Sequence, residues 1–501
     1  MSSEILQLLL QFQPEAPEVQ QKREYDSQAR AFVSQLANIS AAHFQKGADS
    51  PQDVLTVLNP RVNSIAYAFA LRHRIATMAD STKSQKVISD QLKPGGALWS
   101  KLVTFLETFD PVQMRYAGSE WRKLVENVEQ ICRLTGSPGA AISPIRSAMI
   151  QLDPTTGTFT STHIAFIRLC METRSYAAAV PILDNYIHSL PTRIPGQVRE
   201  GLEYSVPCAD NASSGEYIHI HSGHSDKVTL AEIQEYYVLG AMAYIGLRQF
   251  KKALRFLEYV LVVPSANVAN GLMLEAYKKW VLVSCLVDGT SIPRTTNGPA
   301  IKQVKLASKA YDALAEAFAQ LSNLPKLKAQ VSAGRDTWAE DGNAGLVNEL
   351  MEHQYRFYVS RLSRTFSAIP VSNIASNLGS SVEEMTAYLE TLIQEGHLNA
   401  CLERTDKADV GTVLRFFLKP TQGPLAKTEK QREQALVEQT RQTNGLAEHV
   451  RNADYRLGLT KEYIEHLKRQ NKKAATGGGG DAMDMSWEGD GAEEDMMGDL
   501  H

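Results

Sequence analysis

Cysteine is sparse in this chain. Cys132, Cys170, Cys208, Cys285 and Cys401 are scattered over 501 residues with no C-x-x-C pair. Neither a zinc finger nor a disulfide framework is suggested by that spacing, and a reducing compartment fits it. Long apolar runs are lacking too: the longest, such as residues 260–263 and 280–287, are too short and interrupted to span a bilayer. Charge of one sign does not dominate, with 52 basic residues against 56 acidic ones and a net charge of -4. That balance argues against a general binder of nucleic acid or anionic membrane. Residues 1–12 form an amphipathic helix pattern with Glu4, not a basic region followed by an apolar core and a cleavage site. The expectation is a soluble intracellular protein longer than one hydrophobic core usually serves, hence two or more domains or an extended repeat array.

Enzyme signatures are lacking as well. There is no G-x-x-x-x-G-K-[ST] loop, no H-E-x-x-H and no G-x-S-x-G elbow, so the minimum residues for phosphate cradling, zinc proteolysis and serine hydrolysis are missing. One cluster echoes zinc chemistry: His219-x-His221 followed by Thr229-x-x-Glu232, with His224 nearby. A metal-dependent isopeptidase needs two imidazoles and a carboxylate on a rigid frame with an open position for water. Here the histidines lie in a Gly-rich stretch, Ile220 stands where Ser or Thr is wanted, and Thr229 with Glu232 reads as a capping box for a helix over residues 233–247. No catalytic, metal-ligating or cofactor-binding residue is assigned.

What is present is helical periodicity, from residue 2 to about 362. Two segments share one register: Tyr176, Ala179, Leu183, Ile187 then Pro191, and Phe250, Ala253, Leu257, Leu261 then Pro264. Each follows another helix, at residues 163–172 and 234–247, so each pair reads as a tetratricopeptide-like hairpin with a small Ala where the helices cross. Breaks fall at residues 14–18, 47–51, 94–96 and 136–139. Residues 191–227, rich in Gly and Pro, read as an exposed insertion between hairpins.

Residues 366–417 read as a winged helix. Ile369, Ile374, Ala375 and Leu378 mark a short helix, and Gly379-Ser380-Ser381 a turn. A second helix from Val382 carries Met385, Tyr388, Leu389, Leu392 and Ile393 on one face and stops at Gly396. Residues 398–402 and 412–418 read as a wing hairpin. DNA reading would need cations on the second helix, which instead offers Glu383, Glu384, Glu390 and Glu395. A polar helix follows over residues 428–457, ending at Gly458, and Thr460 caps a last short helix through Lys473. Leu446, Val450, Ala453 and Leu457, continued by Ile464 and Leu467, make a narrow stripe that asks for a partner helix. Beyond it, residues 477–480 are all Gly and eight acidic residues follow without a Lys or Arg, a composition expected to be disordered.

A helical-hairpin array running without break into a winged helix resembles the PCI domain, the scaffold shared by the proteasome lid, a related translation initiation factor and the COP-nine signalosome. Residues 273–284 (MLEAYKKWVLVS), 338–347 (WAEDGNAGLV) and 361–376 look most like the signalosome branch. The resemblance implies a mainly α fold: a right-handed superhelical array over residues 1–345 with an insertion at about 191–228, a winged helix over 346–420, bundle-forming helices over 421–473, and an acidic tail over 474–501. It implies a non-catalytic scaffold subunit without cofactor, found in cytoplasm and nucleus. Its partners would be other PCI-domain and isopeptidase-domain subunits of the signalosome and, indirectly, the cullin-RING ligases from which the complex removes the modifier Nedd. Nucleic acid and membrane are not expected partners. A paralogous lid subunit of the proteasome is the alternative. Candidate contact positions are Leu398, Ala400, Leu402, Val413 and Phe417 on the wing, where a strand edge would pair with a neighbour, and Leu446, Val450, Leu457, Ile464 and Leu467 on the last helices.

Overall fold

A computed structural model describes residues 3–12, 23–45, 53–82, 89–191, 214–262, 268–289, 299–320, 323–404, 411–419, 421–458 and 461–476. The first helices are α1 (Ser3–Gln11), α2 (Arg23–Ala37), α3 (Ala41–Gln45), α4 (Val54–Val57), α5 (Ser64–Thr82), α6 (Ala97–Thr108), α7 (Pro111–Met114), α8 (Gly118–Leu134) and α9 (Ile142–Leu152). Helix α5 is the spine of this part, since every residue from Ile65 to Leu71 is buried, the mark of a helix enclosed on all sides. Its last turns carry Arg74, which donates to Asp53 Oδ1 at 2.7 Å and to the Phe44 carbonyl at 3.0 Å. Two chain segments that precede α5 are thereby fixed to it.

Helices α10 (Ser161–Glu172) and α11 (Tyr176–Leu183) form one hairpin; after α12 (Ser214–Tyr217), α13 (Leu230–Gly246) and α14 (Phe250–Val262) form another. Their turns are built alike. Arg174 and Arg248 both adopt positive φ, 55° and 61°. Each is followed by a residue whose N–H reaches back five positions, Ser175 to the Cys170 carbonyl at 2.9 Å and Gln249 to the Tyr244 carbonyl at 2.8 Å. This is the left-handed helix stop that usually takes Gly, and here Arg takes it twice. Two glycines of α13 let neighbours close in: a Cβ at Gly240 would lie 2.7 Å from the Phe256 ring, and one at Gly246 would lie 2.9 Å from the Tyr176 ring. Tyr176 of the shared register thus packs against the next hairpin, and Ala179 and Ala253 are fully buried.

Two expectations fail in this region. Helix α11 ends at Leu183, so Ile187 is not helical. Pro181 lies in the last turn of the helix, the Asn185 side chain turns back to the Pro181 carbonyl at 3.1 Å, and the following chain runs beside residues 157–159, with Phe159 N donating to the Ser189 carbonyl. Nor is the second half of the insertion exposed. Residues 214–226 pack into the array: Tyr217 Oη donates to the Leu152 carbonyl at 3.1 Å, Ser225 Oγ accepts from Ser161 N at 2.9 Å, and Tyr217, Ile218 and His224 are buried. A Cβ at Gly118 would lie 2.3 Å from the Ser222 carbonyl oxygen, so that glycine is what admits the loop. The first half, residues 192–213, lies outside the described residues.

The array continues through α15 (Gly271–Asp288), α16 (Pro299–Ala307), α17 (Lys309–Ala319), α18 (Leu324–Ala333) and α19 (Arg335–Glu340) to α20 (Ala344–Leu362). One hydrophobic core extends from Leu9 to Leu350, and a second from Val359 to Phe416. Helix α20 belongs to both: Val347, Leu350 and Phe357 pack in the first, Tyr358, Val359 and Leu362 in the second. A single helix therefore carries the array into the winged helix. That module comprises β1 (Ala368–Pro370), α21 (Val371–Leu378), α22 (Val382–Gln394), β2 (Ala400–Arg404) and β3 (Thr412–Phe416). Gly379 and Gly396 stop the two helices at φ 67° and 75°, and Ser381 with Glu384 forms a capping box at the start of α22.

The last two described helices, taken by themselves, are α23 (Glu429–Gly458) and α24 (Lys461–Thr476). The Thr460 cap and the acidic tail fall outside the described residues.

Candidate assembly interface

The winged helix presents a three-stranded antiparallel sheet in the order β1-β3-β2. Ile369 belongs to β1, opposite Leu414, and not to the first helix as its apolar character suggested. The following Pro370 holds Ile369 extended, and the helix starts only at Val371. Because β3 is the central strand, both of its edges are taken, so Val413 cannot add a neighbour's strand by backbone pairing, and that part of the expectation is corrected. Phe417 lies just past β3, with its N–H donating to the Asn399 carbonyl at 2.9 Å. Strands β1 and β2 both stand at outer sides among the described strands; β2 is the longer of the two, with Cys401 opposite Arg415 and Glu403 opposite Val413. Leu398 and Ala400 point into the module's core and are buried, Leu402 is half-buried against it, and Val413 and Phe417 are half-buried. What β2 offers outward is backbone and polar side chains, including the Glu403–Arg415 pair at 2.9 Å, rather than an apolar ladder.

Sequence reasoning missed Asn399 as the fastener behind the wing. Its Nδ2 donates to the carbonyls of Phe417 at 3.2 Å and Gln422 at 3.0 Å, and its Oδ1 accepts from Leu425 N at 3.3 Å. A lone Asn between an apolar Leu398 and Ala400 was the available signal. Gly423, at φ 85°, leaves room for it, since a Cβ there would lie 2.3 Å from Asn399 Oδ1. The outward face of α22 is acidic: Glu383, Glu384, Glu390 and Glu395 are all exposed. On the inner side Tyr388 packs edge-on to Tyr355 with ring centroids 6.3 Å apart. Arg356 donates to the Leu286 carbonyl at 3.0 Å, and burial lowers its pKa.

The histidine cluster resolves into structural contacts. His224 Nε2 bonds to the Met114 carbonyl at 3.1 Å in a fully buried position, and burial lowers its pKa to about 4. His219 Nδ1 accepts from His221 N at 3.1 Å. Thr229 and Glu232 form the capping box of α13 that their spacing suggested. Among the described residues no group of three or more His, Cys, Asp or Glu could hold a metal ion. On the last helices, Leu446 and Val450 are each 58% exposed, Leu457 47%, Ile464 40% and Leu467 39%.

A helical-repeat array that passes through one helix into a winged helix defines a PCI-domain protein, and the PCI domain family model matches residues 332–408. A second model, "COP9 signalosome complex subunit 3, N-terminal helical repeats", matches residues 27–298, more than half of the chain. The chain belongs to this COP9 signalosome subunit 3 family. Two relatives carry that subunit's name: one from Emericella nidulans is 29% identical over 95% of this chain and 95% of its own length, and one from Neurospora crassa is 25% identical over 99% of each.

Proposed function

We propose that the protein is a non-catalytic scaffold subunit of the COP9 signalosome, which supports the complex that removes Nedd from cullin-RING ligases, in cytoplasm and nucleus. The observation that carries this reading is the match to the subunit's helical-repeat family over residues 27–298, joined to the PCI match over residues 332–408. Helix α20 supports a scaffold role, because its residues pack in both hydrophobic cores and so join the winged helix to the array. In this reading the outer side of β2 meets a neighbouring subunit by strand addition, and the stripe of Leu446, Val450, Leu457, Ile464 and Leu467 enters a bundle formed with helices of other subunits. The division into array, winged helix, bundle helices and tail follows the same logic.

The test is affinity purification of the tagged full chain with identification of what comes with it. Co-purification of an isopeptidase-domain subunit and further PCI subunits, in a fraction that deneddylates cullin, is the expected result. Recovery with proteasome-lid chains instead would overturn the assignment.

A further inference from the structure

Most of the array's partly buried cations are matched to a carboxylate: Arg74 to Asp53, Arg122 to Asp226, Lys278 to Asp341. Helices α16 to α18 depart from this. Residues 299–333 hold Lys302, Lys305, Lys309, Lys326 and Lys328 against only Asp312 and Glu316, in a chain whose net charge is -4. Asp312 accepts from the Tyr277 hydroxyl at 2.8 Å, and Lys305 acts on it only at longer range, without an ion pair. None of the five lysines forms an ion pair among the described residues. Lys326 alone has a side-chain partner, the neutral Gln320 at 3.2 Å. Lys302, Lys305 and Leu306 lie at i, i+3 and i+4 on one face of α16, and Lys309 opens α17 directly after the break at Ser308, while Ile301 and Val304 pin α16 to the core from the other side. In the middle of the cations Leu306 is 66% exposed.

We propose that this surface patch at the junction of α16 and α17, Lys302, Lys305, Leu306 and Lys309, binds an acidic peptide segment of another protein. Charge complementarity selects the partner, because unpaired lysines gain from carboxylates brought to them. The exposed Leu306 selects a peptide over a nucleic acid, since an apolar side chain at the centre of the cations suits an apolar residue flanked by acids and offers nothing to a phosphate backbone. The chain's own acidic segment, which begins at Asp481, follows the cations Lys468, Arg469, Lys472 and Lys473 closely in sequence, and a separate protein is proposed as the source of the peptide.

The experiment is fluorescence anisotropy with the full chain and a synthetic peptide in which one Leu is flanked by Asp and Glu, titrated at about 50 mM and about 200 mM salt, where screening separates exposed charge contacts. The expected result is saturable binding that weakens with salt, falls at least tenfold in K302E/K305E/K309E, falls less in the milder K302Q/K305Q/K309Q, and falls severalfold in L306S. Unchanged binding in these variants, with helical circular dichroism intact, would overturn the proposal. So would equal binding of duplex DNA, loss on reversing Lys468 and Arg469 instead, or a large gain in affinity on deleting residues 477–501, which would make the chain's own tail the occupant.

Discussion

Lys279 donates to Asn343 Oδ1 at 2.9 Å, and both side chains are buried. Beside them Lys278 donates to Asp341 Oδ1 at 2.6 Å, the Tyr311 hydroxyl to Asp341 Oδ2 at 2.7 Å, and Asn343 Nδ2 to the Tyr311 oxygen at 2.9 Å. Glu275 completes the set by pairing with Lys279. Burial alone would raise the Asp341 carboxyl, but Lys278 and Tyr311 outweigh it and hold the group below the usual range. Residues 273–284 and 338–347, which carry the family resemblance, are therefore one polar joint in space. It fixes α15 and α17 to the turn from which α20 departs toward the winged helix. Fully satisfied buried networks of this kind impose a register.

Asn343→Leu should remove one partner each from the Lys279 ammonium, which keeps Glu275, and the Tyr311 hydroxyl, which keeps Asp341, and lower stability by about 1–3 kcal/mol, the cost of incompletely satisfied buried polar groups. Adding Lys279→Met should recover part of that loss, because an apolar side chain then replaces the buried charge. Denaturant titration of the two single variants and the double variant checks this. Strict additivity of the two single losses would show that the residues are not coupled.

The two left-handed arginines make a second prediction. A non-Gly residue in that conformation costs roughly 1 kcal/mol, which Gly avoids. Arg174→Gly should therefore stabilise the array by up to about 1 kcal/mol in denaturant titration. Arg248→Gly should gain less, since Arg248 also pairs with Glu349 and lies 5.8 Å from the Phe250 ring centre. Marked destabilisation by Arg174→Gly would mean that its side chain holds a contact that matters.

Legibility in the sequence followed the range of the interactions. Gly379, Gly396, the Ser381–Glu384 box and the Thr229–Glu232 box act within a turn or two, and the helices they bound were readable. Ile369 was read as helical because the alternative depends on Leu414, its partner across β1 and β3. The burial of residues 214–226 was hidden for the same reason: a Gly-rich stretch reads as a loop until Gly118, Met114 and Ser161, far away in the chain, supply its partners. The acidic face of α22 and the stripe of the last helices were legible as patterns, whereas the central position of β3 was not, since strand order leaves no local mark.

Acid should loosen the array through His163 and His224. Burial lowers both pKa values to about 4. At His163 the bonding fixes the neutral ring, because Thr160 N donates to Nδ1 at 3.1 Å while Nε2 faces the Thr156 carbonyl at 3.2 Å, leaving Nδ1 no room for a proton. An unfolded histidine takes up its proton near pH 6.5. Between pH 6.5 and 4 the unfolded chain thus binds more protons than the folded one, so the contribution is complete above pH 6.5 and is lost as pH falls through that window. The loss is on the order of 3 kcal/mol for each group by pH 4. Unfolding midpoints at pH 7.5, 6 and 5 should drop steadily, and His224→Gln should flatten the profile. An identical slope in that variant would remove His224 from the explanation.

The helices after the wing should matter for assembly and not for the fold of the array. Cutting the chain after Thr428 keeps Gln422 and Leu425, and with them the three hydrogen bonds of Asn399. The array and winged helix should accordingly keep their unfolding midpoint. Helices α23 and α24 expose Leu446, Val450, Leu457, Ile464 and Leu467 on otherwise polar sequences, and an isolated helix of that composition is marginal in water without a surface to pack on. Incorporation into the complex, measured as recovery of partner subunits in a quantitative pull-down, should fall sharply on truncation. Leu446→Ser, Val450→Ser and Leu457→Ser combined should mimic it, while removal of residues 477–501 alone should not, because that segment carries no such stripe. Full recovery of partners by the truncated chain would leave the winged helix as the sole carrier of the partnership.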